Sequence, residues 1–181
     1  MPGTSDVHAR PSPSPLLSGQ PVTGGTRWKQ WQPWLSPVLR VGLAAVAFAA
    51  GFAKITDLPA SVRAVRAYEI LPEAVVPLIG DALPMVEILL GVLLLLGLFT
   101  RFAAIAFGAL MVIFVIGIAS AWARGLAIDC GCFGGGGSIA PDQTKYPVEI
   151  VRDLALVAAS VVVAVWPRTR LSLDQTLGLA A

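Results

Sequence analysis

Between Phe102 and Ala123 the chain runs for 22 residues without one charged side chain. A stretch of that length suits a single environment, because about 20 apolar residues wound as a helix match the hydrocarbon thickness of a bilayer. Its backbone must satisfy its own hydrogen bonds there, which makes it a helix. Three more apolar runs, at about residues 35–55, 82–100 and 148–166, join 102–123 as expected membrane spans. Composition agrees, since 56% of residues are hydrophobic and 13% charged, against about 25% charged in a soluble domain. The fold class expected is all-α, an integral membrane four-helix bundle. Nucleic acid is excluded as a partner: 13 basic and 11 acidic residues are scattered along the chain with no basic run to follow a phosphate backbone. Membrane lipid is the partner that composition requires.

The flanks set the domain limits. Residues 1–33 are rich in Pro, Ser, Gly and Thr, a composition that cannot offset the entropy of ordering, and read as a disordered N-terminal tail. The membrane domain is then 34–167, with 168–181 as a C-terminal tail. The first apolar run does not sit directly behind a basic N-terminus as in a signal peptide, so it reads as a retained anchor. Tryptophans 28, 31 and 34 precede the first span, while Trp122 and Trp166 close the third and fourth, as interfacial anchors do. Gly42, Ala45, Ala49 and Ala53 offer a small-residue face on the first span, and Gly91 another on the second, for close helix approach. Asp57 and Pro59 open a short helix with Val62, Val65 and Tyr68 on one side and Arg63 and Arg66 on another, a pattern suited to the membrane surface. Four spans put both termini on one side. Charge does not orient them, because the 13 basic residues divide seven to six between the two sides.

The chemistry gathers in the connection between the third and fourth spans, which contains IDCGCFGGGGS. Cys130 and Cys132 are the only two cysteines, one glycine apart, so a disulfide between them closes a small, strained ring and is easily reduced. Gly134 to Gly137 are read as a flexible flank that lets the pair swing toward a partner. Arg124 and Lys145 are the nearby cations expected to lower a thiol pKa, with Asp129 opposing them. Three readings stand open at this point: a reversible dithiol/disulfide, a soft-metal site built on two thiolates, and inert structural cysteines. A four-ligand zinc framework is excluded, since His8 is the one histidine; no metal site is assigned.

A second group of residues lies beneath this loop. Glu87 falls about 9 Å into the second span and Arg152 about 7.5 Å into the fourth, both counted from the cysteine side. Lys54 reaches the same side at the end of the first span, and Asp153 follows Arg152. Carboxylates inside a span are paired within the bundle. The expectation is a polar cluster of Lys54, Glu87, Arg152 and Asp153, with Glu87 and Arg152 as partners. Such a cluster either locks helices together or forms a pocket that relays protons or receives a quinone headgroup.

Arg40 with GFAK (Gly51 to Lys54), Tyr68 before an ILP turn, LPMVEILLG around Glu87, Arg124 with Gly125, DCGCFG (Asp129 to Gly134) and Arg152 together resemble the MauE family within the wider DoxX-like membrane proteins. The resemblance extends from about Val38 to Val165, and DCGCFG is its most specific part. Asp153 stands where the pattern has Asn. The resemblance implies a four-helix membrane protein that supports extracytoplasmic disulfide formation with a thioredoxin-like partner, as in maturation of the disulfide-rich small subunit of methylamine dehydrogenase. It implies Cys130 and Cys132 as the reactive pair of a thiol-disulfide oxidoreductase, presented by Asp129, Gly131, Phe133 and Gly134. An oxidising compartment for the loop sets the expected location: a multi-pass protein of the bacterial inner membrane, with the CxC loop extracytoplasmic. The alternative function is a non-enzymatic assembly or soft-metal-handling factor that uses the same loop.

Overall fold

The computed structural model describes the backbone of residues 26–166, with side chains from residue 35 onward. The expected tails at 1–25 and 168–181 lie outside the described residues. Over the described residues the chain is all-α apart from a two-stranded ribbon, two residues per strand, and a single 3-10 turn at Pro141–Gln143, in the order α1 (Thr26–Ile55), α2 (Leu58–Ala67), α3 (Val76–Leu96), α4 (Thr100–Ala123), β1 (Ile128–Asp129), β2 (Gly137–Ser138) and α5 (Tyr146–Val165). Helix α1 thus begins ahead of residue 34, inside the stretch expected to be tail. Among the described residues, three helices are long and apolar enough to cross a membrane: Leu35–Ile55 of α1, α3 and α4. Helix α5 is as long as a span but carries Glu149, Arg152 and Asp153 in its first turns.

Helix α1 pairs with α3 and α4 with α5, and the two pairs meet through α1 against α5 and α3 against α4. Leu43, Ala44, Ala47, Leu90, Leu94, Ala103, Ala104, Phe107, Met111 and Val163 form the shared interior. Large side chains such as Leu78, Phe102, Ile113 and Ile116 point outward, where lipid is a favourable solvent for them.

The small-residue face of α1 lies elsewhere than expected. Gly42, Ala45 and Ala49 are exposed, and a side chain on Gly42 would meet nothing within 4 Å. The buried stripe is instead Leu43, Ala44, Ala47, Ala50, Gly51 and Lys54. Periodicity alone leaves several such stripes available on an alanine-rich helix, and the large residues of the neighbour select one. At Gly51 an added Cβ would sit 2.6 Å from the Ile88 side chain and 3.1 Å from the Pro84 carbonyl, so only glycine permits this α1–α3 approach. Gly91 does face α1, against the ring of Phe48.

Helix α3 starts at Val76, before the expected residue 82, and stops at Leu96. Its first turns include Gly80 and Asp81, whose composition disguises them as loop. They are helical because α2 leans on them: Ser61 Oγ donates to the Gly80 carbonyl at 2.7 Å, and Val62 sits over the missing Gly80 side chain. Gly97 and Phe99, both left-handed with φ 68° and 47°, turn the chain tightly into α4.

Asp57 caps α2 as expected, its Oδ1 accepting from the Ala60 N–H at 2.9 Å. The buried face of α2 is Ala60, Ser61 and Ala64, whereas Val62 and Val65 are only half-buried. Its contacts are with α3 and the cysteine loop: Ser61 and Val62 meet Gly80 of α3, and Ala64 meets Gly131 and Gly136 of the loop.

Candidate functional site

The early start of α3 builds the site. Counted from Val76, Glu87 lies about 16.5 Å along the helix, near its middle, and not one or two turns in as expected. Lys54 in the last turn of α1 meets it there, so α1 stops about halfway up α3. A bowl remains above the end of α1, walled by α2, the first half of α3, and the facing ends of α4 and α5. The loop after α4 folds down into this bowl.

The loop is pinned at every turn. Tyr146 at the start of α5 donates its hydroxyl to the Leu126 carbonyl at 2.6 Å and accepts from the Ile128 N–H at 2.9 Å. Ile128 and Asp129 then pair antiparallel with Ser138 and Gly137, so residues 130–136 form the tip of a short ribbon. Asp129 Oδ1 accepts from the Gly131 N–H at 3.2 Å. Tyr68 donates to the Cys130 carbonyl at 3.1 Å, and Lys54 Nζ donates to the Cys132 carbonyl at 2.6 Å. Each cysteine carbonyl is thus held by a side chain from the end of a different helix, Tyr68 capping α2 and Lys54 in the last turn of α1.

Glycine has a different use here from the flexible flank expected. Gly131, Gly134, Gly135, Gly136 and Gly137 all have positive φ, a backbone conformation that side chains disfavour. Gly131 and Gly136 also close around Ala64: a Cβ on Gly131 would lie 2.5 Å from the Ala64 Cβ, and one on Gly136 would collide with it outright. Gly134 rests on Ala53 of α1. The run is a tight wrapping rather than a free hinge.

Both cysteines are free thiols and both are buried, with 9% of Cys130 and 5% of Cys132 exposed. Their sulfurs are close, the Cys132 N–H donating to Cys130 Sγ at 3.4 Å. The two thiols differ in character. The hydrogen bond from the Cys132 thiol holds Cys130 below the ordinary thiol range, against burial, with a further contribution from Arg152. The same hydrogen bond, then burial, drives the Cys132 pKa upward. Burial, and next the negative charge of the two sulfurs, pushes the Tyr68 phenol up as well, so it remains a hydroxyl donor. The cation at the thiols is therefore Arg152, not Arg124 or Lys145. Arg124 is spent on the Tyr68 and Ser120 carbonyls.

The four expected polar residues do gather beneath the loop, with different partners. Lys54 Nζ donates to both oxygens of Glu87, at 2.8 and 2.9 Å, and the two side chains are 2% and 1% exposed. Arg152 pairs with its neighbour Asp153 at 2.9 Å and lies 4.8 Å from the Phe133 ring centre. The expected Glu87–Arg152 pair is replaced by these two because Lys54 already fills the carboxylate at the depth where Glu87 sits. Glu87, Asp153, Arg152, Cys132, Phe133 and Met111 share a small cavity, which has room for about one water molecule.

Two functional neighbours carry no local sequence signal. Tyr146 is 20 residues from the carbonyl it anchors, and Glu149 reads as an ordinary charge in a first helical turn. A carboxylate oxygen of Glu149, one of Asp129 and the Cys130 sulfur all lie within 4.8 Å of one another. This donor set does not suit a soft cation, for which two thiolates need further sulfur or nitrogen ligands, and carboxylates favour hard ions.

A family model described as methylamine utilisation protein MauE matches residues 32–167. A relative from Paracoccus denitrificans, methylamine utilization protein MauE, is 31% identical over 137 residues, which cover 74% of this chain and 70% of that one. No solved structure matches. The matched span takes in α1 from its second turn, all of the cysteine loop and the whole of α5, and the chain belongs to the MauE family of membrane proteins.

Proposed function

We propose that this chain is a membrane thiol-disulfide oxidoreductase whose working pair is Cys130 and Cys132, and that it supports disulfide formation in extracytoplasmic proteins through a thioredoxin-like partner. The observation that carries the reading is geometric: the two free thiols sit together at one ribbon tip, with the Cys132 N–H donating to Cys130 Sγ at 3.4 Å, and the downward direction of the Cys130 pKa agrees with it. An attacking sulfur must be thiolate, and a second thiol within reach must resolve the mixed disulfide. Inert buried cysteines have no need of such closeness.

In this scheme Cys130 exchanges with the partner and Cys132 resolves. Asp129, Gly131, Phe133 and Gly134 hold the pair in its ribbon tip, and Lys54, Glu87, Arg152 and Asp153 form the polar floor that fixes its depth. Because both sulfurs are buried, docking of the partner must lift the ribbon tip. The contacts available to be given up are the two carbonyl clamps from Tyr68 and Lys54. The functional unit is the membrane domain 34–167, with α5 as a fourth crossing, both termini cytoplasmic and the loop outside the bacterial inner membrane. A cysteine at Ser138 should then react with an impermeant reagent in intact cells while one at Arg101 does not, in a background lacking Cys130 and Cys132; the opposite pattern reverses the orientation. The family relationship supports a place in methylamine utilisation.

The decisive experiment is partner capture. Cys132→Ser leaves the attacking sulfur without its resolving thiol and should accumulate a mixed disulfide with a thioredoxin-like protein in cells. Cys130→Ser should accumulate far less. If neither variant captures a partner and both complement a deletion strain as well as wild type, the redox reading is wrong.

A further inference from the structure

We propose that Glu149 is the proton acceptor for Cys130 in thiol-disulfide exchange, a role that rests on the redox reading above. The glutamate stands in the first turn of α5, with a carboxylate oxygen inside the 4.8 Å cluster that contains the Cys130 sulfur. Its Oε2 is buried and has no hydrogen-bond partner among the described residues, so a lone pair is free to receive a proton. Asp129 shares the cluster but is otherwise engaged, its Oδ1 accepting from the Gly131 N–H.

The remaining charged and titratable groups do not compete for the role. Cys132 on the same loop donates its N–H to Cys130 Sγ and turns its thiol to the Cys130 carbonyl, so it is a donor. Arg152 on α5 is a cation; Asp153 beside it holds that guanidinium through Oδ1, and although its Oδ2 is also buried without a partner among the described residues, it stands outside the cluster that contains the Cys130 sulfur. Tyr68 on α2 donates its hydroxyl to the Cys130 carbonyl. Lys54 on α1 and Glu87 on α3 are paired with each other below Cys132.

The step balances as follows. The Cys130 S–H proton passes to the Glu149 carboxylate, and the thiolate attacks one sulfur of a partner disulfide. That S–S bond breaks, the partner's second sulfur leaves as thiolate, and the Cys130–partner disulfide forms. Cys132 loses its proton and attacks the Cys130 sulfur, releasing the partner's first sulfur. Cys130 and Cys132 end oxidised to a disulfide, the partner disulfide ends as a dithiol, and both protons end on partner sulfurs. Run in reverse, the protein's disulfide oxidises a partner dithiol and Glu149 returns the proton to Cys130 as it leaves.

The test uses the full chain in lipid nanodiscs and the neutral probe hydroxyethyl disulfide, whose encounter with the protein is insensitive to a local charge. The rate at which the protein's own thiols are lost, read on the protein after acid quench and alkylation, is followed from neutral to alkaline pH. Glu149→Gln should slow the reaction about tenfold or more near neutrality, with the gap closing as solvent base takes over at higher pH. Asp142→Asn, an exposed carboxylate of the same connection that lies outside the cluster, should not slow it, and Glu149→Asp, with its shorter reach, should fall between Glu149→Gln and wild type. A role as mere negative charge predicts the opposite sign, because removing that charge favours the thiolate and speeds exchange. Unchanged or faster exchange in Glu149→Gln overturns the proposal. Should Glu149→Gln lose the wild-type melting transition, Glu149→Asp decides: a wild-type pH profile there overturns the proposal as well. Failure of the redox reading itself shows separately, as complementation by both cysteine variants in cells.

Discussion

Replacing Lys54 with methionine tests how the membrane core and the cysteine loop depend on each other. The change keeps most of the aliphatic stem and removes an ammonium that donates to both Glu87 oxygens and to the Cys132 carbonyl. Both members of the pair are almost wholly buried. Stranding a buried charge in this way costs about 3–5 kcal/mol, and the abandoned Cys132 carbonyl adds about 1–3 kcal/mol if nothing replaces its donor. Glu87→Gln is milder, since an amide oxygen still accepts from Lys54, which also keeps its carbonyl partner; about 1.5–3 kcal/mol is expected for losing the charged hydrogen bond. Lys54→Met combined with Glu87→Met removes both charges, and exchanging a whole buried pair for apolar residues is often neutral. The double variant should therefore be more stable than Lys54→Met alone, with a coupling energy of about 2 kcal/mol or more. Reversible unfolding in detergent measures the cycle. The labelling rate of Cys130 and Cys132 by a thiol reagent supplies a second readout, which Lys54→Met should raise because the loop has lost its floor. Additive stabilities together with unaltered labelling would refute the coupling.

Two further changes probe the loop itself. Gly136→Ala places a methyl against Ala64 on a backbone with φ 105°, so it should destabilise by about 1–3 kcal/mol through crowding, with part recovered by Ala64→Gly; Gly137→Ala, which meets no neighbour within 4 Å, should show only the strain of its positive φ, and equal melting temperatures for the two would count against close wrapping. Alkylation should show Cys130 reacting with a pH midpoint below that of a free thiol, since the Cys132 hydrogen bond lowers its pKa. Cys132→Ala removes that donor and should shift the midpoint upward, whereas Cys132→Ser retains a hydroxyl donor and should shift it less; a midpoint indifferent to both changes contradicts the assigned hydrogen bond.

The features legible in the sequence are those set by local composition. Apolar run length located α1, α4 and most of α3, and Asp57 with Pro59 marked the start of α2. The cysteine pair and the four polar residues below it were also visible, because each is conspicuous in an apolar chain. Partners and rotations were not. Hydropathy fixes how long a helix is without fixing which face it buries, so the stripe of α1 through Ala47, Gly51 and Lys54 is selected by its fit to α3, where Ile88 meets Gly51 and Gly91 receives the Phe48 ring. The depth of Glu87 went wrong because Gly80 and Asp81 look like loop, yet Ser61 and Val62 of α2 hold that stretch in α3. The close fit at Gly131 and Gly136 is made by Ala64, more than sixty residues away, which is why a tightly packed loop reads from sequence as a flexible one.

The central claim, that Cys130 and Cys132 form a reversible dithiol/disulfide, is tested most directly by counting thiols on the intact, folded protein across a redox titration in nanodiscs. The account predicts two reactive thiols after mild reductant, none after oxidation, and repeated interconversion with an unchanged helical circular dichroism spectrum; it is contradicted if the two thiols stay free under oxidation that converts a control dithiol, or if the disulfide forms only when the protein unfolds.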